Sequence, residues 1–195
     1  MTYKKPKYGT REEWLNAAVV LLNPMLAEKT ALRPKRQVLV SAGWPRRDRG
    51  GRVIGQCYNS LPGEGANHIF ISPMLSTATD VLPTLLHELI HAADDCESQH
   101  KGPFRAAWKA LGFIDKPTLS VPGPELKAAL REIAGELGAY PHKKLNPITA
   151  GKPQTTRMLK VECPSCGCVV RMTRRWLDEA GAPECACGTR MDEVA

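Results

Sequence analysis

Residues 87 to 91 read His-Glu-Leu-Ile-His, two imidazoles four positions apart with a carboxylate beside the first. An α-helix turns 100° per residue, so positions i and i+4 share a face about 6 Å apart, and His87 and His91 can grip one metal ion there. Glu88 then stands beside the ion without being a ligand and can take a proton from water as general base. The composition, with 5 His in 195 residues, gives a chance occurrence of this pattern a probability of about 0.01. A catalytic ion needs a third protein ligand and an open position. His100 is the nearest donor, beyond the polar stretch Asp94-Asp95-Cys96-Glu97-Ser98-Gln99, and Asp94, Asp95, Glu97 and His142 compete with it. Asp95 lies one turn further along the ligand face and suits an acceptor for an imidazole N–H. Cys96 reads as a small buried hydrophobe.

A second constellation lies near the C-terminal end, where five of the 7 cysteines fall between Cys163 and Cys187. Cys163-Pro-Ser-Cys166-Gly is a knuckle of two thiolates, and Cys185-Ala-Cys187-Gly is its partner across a gap of 18 residues. Together they are expected to hold one tetrahedral structural Zn2+, which would be the main stabiliser of so small a segment. Cys168 is a fifth thiol that could replace Cys166 or Cys187. Clustering of this kind, in a chain whose start carries lysines and no apolar leader, favours a metal site in a reducing cytoplasmic setting over a disulfide framework.

These groups must be positioned by an α+β scaffold. Thr10 and Glu13 form a capping box before Trp14, Leu15, Ala18, Val19 and Leu22, a helix that ends near Asn23-Pro24 or resumes to Lys29. Strand character follows at 37–42, 53–58 and 68–72, with a solvated hairpin loop carrying Arg46, Arg47, Arg49 and Arg52 expected between the first two. The metal helix spans about Thr79 or Asp80 to Asp94, with Pro83 in its first turn and an apolar stripe from Val81 to Ala93 facing a sheet. Thr84, His87, His91 and Asp95 make the opposite, polar stripe. A third helix follows Gly102-Pro103 and stops at Gly112, and a fourth covers about Pro124 to Leu137. The domains read as 1–138, a basic linker at 139–158, and a small metal-binding segment at 159–195.

His-Glu-Leu-Ile-His-Ala, then His100-Lys101-Gly102-Pro103-Phe104, together with Ile54-Gly55-Gln56-Cys57-Tyr58 and His68-Ile69-Phe70-Ile71-Ser72-Pro73, resembles the SprT-like (Spartan-related) family of zinc metallopeptidases. The whole is similar to its short phage and prophage members, which end in a zinc ribbon. The resemblance implies a minimal zincin-like fold, His100 as the third ligand of a catalytic Zn2+, a second, structural Zn2+ in the ribbon, and hydrolysis of protein substrates. It is strong over about 36–115, good over 158–191, and slight elsewhere.

Length and composition agree with one catalytic domain and a small addition: 195 residues, 43% hydrophobic and 24% charged, exclude a fibrous or wholly disordered chain, and no apolar run reaches membrane length. The net charge of +7 is uneven, with 12 basic and 4 acidic residues in 1–60, 4 and 7 in 61–124, and 11 and 9 in 125–195. A polyanion is therefore an expected partner, and Lys160, Arg171, Arg174, Arg175 and Trp176 combine phosphate pairing with base stacking in the manner of single-stranded DNA binders. The function expected is a monomeric zinc endopeptidase acting on DNA-associated proteins. An extended substrate would lie along a sheet edge, at the strand ending near Ser72. Tyr58 and Tyr140 are candidate oxyanion donors. The alternative is a nucleic-acid-binding ribbon protein whose zincin half is a non-proteolytic scaffold.

Overall fold

The computed structural model describes residues 7–30, 32–45, 53–59, 65–145 and 158–194. The arginine-bearing stretch 46–52 and most of the expected linker lie outside the described residues. The chain divides into two compact units, Met1–Pro147 and Ile148–Ala195. Both are built of helices and small sheets, an α+β chain. Among the described residues no helix is long and apolar enough to cross a membrane.

The first unit opens with α1 (Arg11–Thr30). Its capping box is made as the sequence requires: the Glu13 N–H donates to Thr10 Oγ1 at 3.1 Å and the Thr10 N–H returns to the Glu13 carboxylate at 3.1 Å. The helix does not stop at Pro24 but passes through it. Trp14, Leu15, Ala18 and Leu22 before the proline and Leu26 after it are all fully buried, and this shared apolar face outweighs the one lost backbone hydrogen bond.

Three strands follow, β1 (Gln37–Ala42), β2 (Gly55–Tyr58) and β3 (Ala66–Ile71). The sheet order is β1-β3-β2, with β1 parallel and β2 antiparallel to β3. Two expectations are corrected by this order. β1 and β2 do not pair with each other, so these two strands do not form the expected hairpin. β3, the strand that ends beside Ser72, is hydrogen-bonded on both sides and offers no edge to a substrate. The edges belong to β1 and β2.

α2 (Ala78–Ala93) starts at Thr77, whose side chain accepts the Asp80 N–H. Pro83 is the sixth helical residue, later than expected, and again the helix continues through it. The reason is burial on every side, since all residues from Val81 to Ile90 are buried. The helix packs on α1, β2 and β3 and on α3 (Gly102–Leu111) and α4 (Pro124–Leu137). Asn67 on β3, itself fully buried, donates to the Ala92 carbonyl at 3.0 Å and ties sheet to helix.

Residues 139–145, expected as linker, belong to the first unit. Tyr140 is buried edge-on against Trp14 at 5.0 Å. Arg11, also buried, donates to the carbonyls of Pro73, Pro141 and Lys143 and lies over the Tyr140 ring. Composition hides this because the acceptors are backbone groups. Arg11→Met is expected to cost about 3 kcal/mol, because it strands these acceptors and removes the cation from the ring. Denaturant titration should show a lower midpoint, and trypsin should cut faster after Lys143 and Lys144.

The second unit holds an antiparallel sheet of β4 (Met158–Glu162), β5 (Val169–Thr173) and β6 (Asp192–Val194) in the order β5-β4-β6, with α5 (Arg174–Ala180) after β5. Its buried core is Val161, Cys163, Cys185 and Met191.

Candidate metal centres

α2 supplies two imidazoles and the turn after it supplies the third. His87 Nε2 and His91 Nε2 lie 3.3 and 3.2 Å from His100 Nε2. The chain reverses between residues 94 and 100 through three non-glycine residues in the left-handed region, Asp95 (φ 56°), Cys96 (φ 62°) and Gln99 (φ 52°). The Cys96 N–H donates to the His91 carbonyl at 2.8 Å and closes the first part of this turn. Among the described residues, the three histidines form one group able to hold a metal ion, and Asp94, Asp95, Glu97 and His142 are not part of it. Asp95 is turned instead to Arg36, at 3.1 Å, so it fastens the ligand turn to the segment before β1 and does not accept an imidazole N–H as expected.

Phe104, fully buried on α3, is packed against the three rings: stacked on His91 at 4.2 Å and edge-on to His87 and His100, each at 5.0 Å. It fixes ring orientation by packing. Burial, then the neighbouring imidazoles, push His87 down to about 3, and burial together with His100 pushes His91 down to about 4; His100 is also lowered by burial. The three rings are thus neutral near pH 7, the form in which a histidine can be a ligand.

Glu88 is buried, 5% exposed, and accepts the Cys57 N–H. Burial first, and the nearby Cys96 second, raise its pKa to about 8 against the opposing effect of that hydrogen bond. β2 can approach α2 this closely only because residue 55 is glycine. A Cβ there would stand 2.7 Å from both Glu88 Oε1 and Thr84 Cγ2. The sequence contained Gly55 within a matching string but gave it no role.

These groups line a cleft of about 570 Å³, with Val53 to Cys57 on one part of its wall and Thr118, Leu119 and Ser120 on another. The second wall is a tight excursion of the chain, held by the Ile114 N–H on the Val121 carbonyl at 2.9 Å and by Trp108 Nε1 on the Leu119 carbonyl at 3.1 Å. Nothing in the sequence marked 118–120, because its position depends on long-range closure. Thr84 and His87, expected on a polar stripe, are buried. Tyr58 and Tyr140 do not line the cleft: the Tyr58 hydroxyl donates to Gln56 at 2.9 Å and Tyr140 is in the core. Cys96 lines it, as does Cys57, and their side chains interact with each other. Cys96 is thus half-exposed where a buried hydrophobe was expected, and it stands outside the histidine group.

In the second unit the sulfurs of Cys163, Cys166, Cys185 and Cys187 form the other group able to hold a metal ion. Cys163 and Cys187 sulfurs are 3.5 Å apart, Cys166 and Cys185 sulfurs 3.4 Å. Each knuckle ends in a glycine with positive φ, Gly167 at 72° and Gly188 at 76°, whose N–H donates to the carbonyl of Cys163 or Cys185. Cys168 stands outside the group, exposed, with its carbonyl accepting the Cys163 N–H at 2.9 Å.

The residues expected to meet nucleic acid are engaged with acidic neighbours. Lys160 pairs with Glu162, Arg174 with Glu193 and Asp178, and Arg175 with Glu179 while lying over Trp176. Arg171 is exposed and has no ion pair among the described residues. Compared with family models, with curated proteins and with solved structures, the chain matches none.

Proposed function

We propose that the protein is a zinc-dependent endopeptidase of the SprT-like kind, with a zincin-like first unit and a zinc ribbon as its second. The observation that carries this reading is the convergence of three neutral imidazoles in the same cleft as the buried carboxyl of Glu88. Tetrahedral zinc with nitrogen ligands at 2.0–2.1 Å requires nitrogens about 3.3–3.4 Å apart, against 3.2 and 3.3 Å here; thiolates at 2.3 Å require about 3.8 Å, against 3.4 and 3.5 Å. Both donor sets therefore fit zinc, one closed by four cysteines and one with a position left for water.

Zinc held by His87, His91 and His100 would supply Lewis acidity, making water more acidic and polarising a peptide carbonyl. Glu88 would accept the proton of the attacking water on its carboxylate and pass it to the leaving amine. The Cys57 N–H and the glycine face of β2 hold that carboxylate in place. The edge of β2 is the surface on which an extended peptide would lie beside Glu88.

Recruitment of DNA-bound substrates by the ribbon would require its cations to change partners. A phosphate would have to displace a carboxylate from Arg174, Arg175 and Lys160. The same pairings count against a protein that works only as a nucleic-acid binder.

The reading is tested with the full chain loaded with zinc and an unfolded protein as substrate. Two zinc ions per chain and cleavage that a chelator abolishes are expected. His100→Ala should retain one zinc and lose cleavage; cleavage undiminished in that variant would overturn the reading. Gly55→Ala should retain two zinc ions yet cut kcat about 10²-fold, because the methyl group displaces the base by an ångström or more.

A further inference from the structure

Cys57 and Cys96 come from different elements, β2 and the turn after α2, yet both line the histidine cleft and their side chains interact there. Neither sulfur belongs to a metal group, and both are partly accessible. The hydrolytic reading uses neither. Two interacting thiols that face one cleft and lie 39 residues apart in the chain have the disposition of a dithiol that closes to a disulfide.

We propose that Cys57 and Cys96 form a redox modification site, a two-electron dithiol–disulfide couple in the wall of the cleft that exchanges with small disulfides of the glutathione type. One sulfur attacks the small disulfide, forming a mixed disulfide and releasing one small thiol. The second sulfur then attacks the protein-side sulfur and releases the other. The protein loses two electrons and two protons, and the small disulfide becomes two thiols. The bond covalently ties β2, which bears the glycine against Glu88, to the turn that ends in His100. This inference stands independently of the protease reading, because it concerns sulfur chemistry and not hydrolysis.

The test uses the full chain with both metal sites loaded with zinc, so that the four-cysteine group is protected, equilibrated in reduced–oxidised glutathione buffers of increasing oxidising strength. No Lys or Arg lies between Arg52 and Lys101, so trypsin leaves both cysteines on one peptide, and digestion after glutamate, at Glu64 and Glu88, is needed to separate them. The expected result is a loss of two mass units from the intact chain and a non-reduced peptide linked through Cys57 and Cys96, restored by dithiothreitol. Cys57→Ser should convert this to a single glutathione adduct on Cys96. A wild-type chain that stays reduced, that accumulates stable glutathione adducts on both cysteines, or that links either one to Cys168 would overturn the proposal.

Discussion

Glu88→Gln is expected to lower the rate of peptide hydrolysis by about 10²–10⁴-fold while both zinc ions remain bound. The amide keeps the volume of the carboxyl, and its carbonyl oxygen can still accept the Cys57 N–H, so the cleft is preserved. It cannot accept a proton. Stability provides an internal control with the opposite sign. In the metal-free protein the carboxyl titrates at about 8 instead of 4.5, so above pH 4.5 its ionisation favours unfolding, increasingly until about pH 8. Glutamine removes that cost, and the metal-free variant at pH 7 should melt no lower than the parent. A variant that loses activity by melting at a lower temperature would show that Glu88 is a structural residue. Zinc content, initial rates and thermal melts of the same preparations separate the outcomes.

The second large effect concerns the four-cysteine unit. Its buried core consists of Val161, Cys163, Cys185 and Met191, so half of that core belongs to the group able to hold a metal ion. A structural zinc contributes about 10–16 kcal/mol of apparent binding free energy in small domains, more than so few apolar side chains can replace. Cys185→Ser, or removal of zinc by a strong chelator, is therefore expected to unfold residues 158–194 outright. Amide hydrogen exchange should report the loss of slow protection in β4 and β5, with protection retained in α1 and α2, whose core is separate. Persistence of protection in β4 after the metal is gone would refute the assignment of a structural ion.

Local signals carried much of this molecule. The capping box of α1, the bounds of α4 and the knuckle glycines are set by neighbouring residues and were legible at once. So was the grouping of His87 and His91, which needs only helical geometry. His100 required more, since a turn with three left-handed residues has no reliable sequence signature when those residues are Asp, Cys and Gln. Strand order was not legible: β1 and β2 are neighbours in the chain, and the insertion of β3 between them is decided by packing on α1 and α2. Burial likewise decides between the two ends left open for α1, in favour of the longer helix, and carries α2 past Pro83 as its apolar stripe implied. The pairing of charges was only partly local. Asp178 and Glu179 answer Arg174 and Arg175 from one helical turn away, whereas Glu193, the other partner of Arg174, lies 19 residues along the chain.

The left-handed turn before His100 has a kinetic consequence. Each such residue costs about 1–3 kcal/mol, and two of the imidazoles sit on a rigid buried helix while the third is carried by this turn. Bonding to an ion offsets that cost, and dissociation releases it. On the proposed reading, exchange of an ion held by the three histidines should therefore begin with the departure of His100, leaving a two-histidine intermediate on α2 from which the metal escapes, so the turn would set the lifetime of the loaded site.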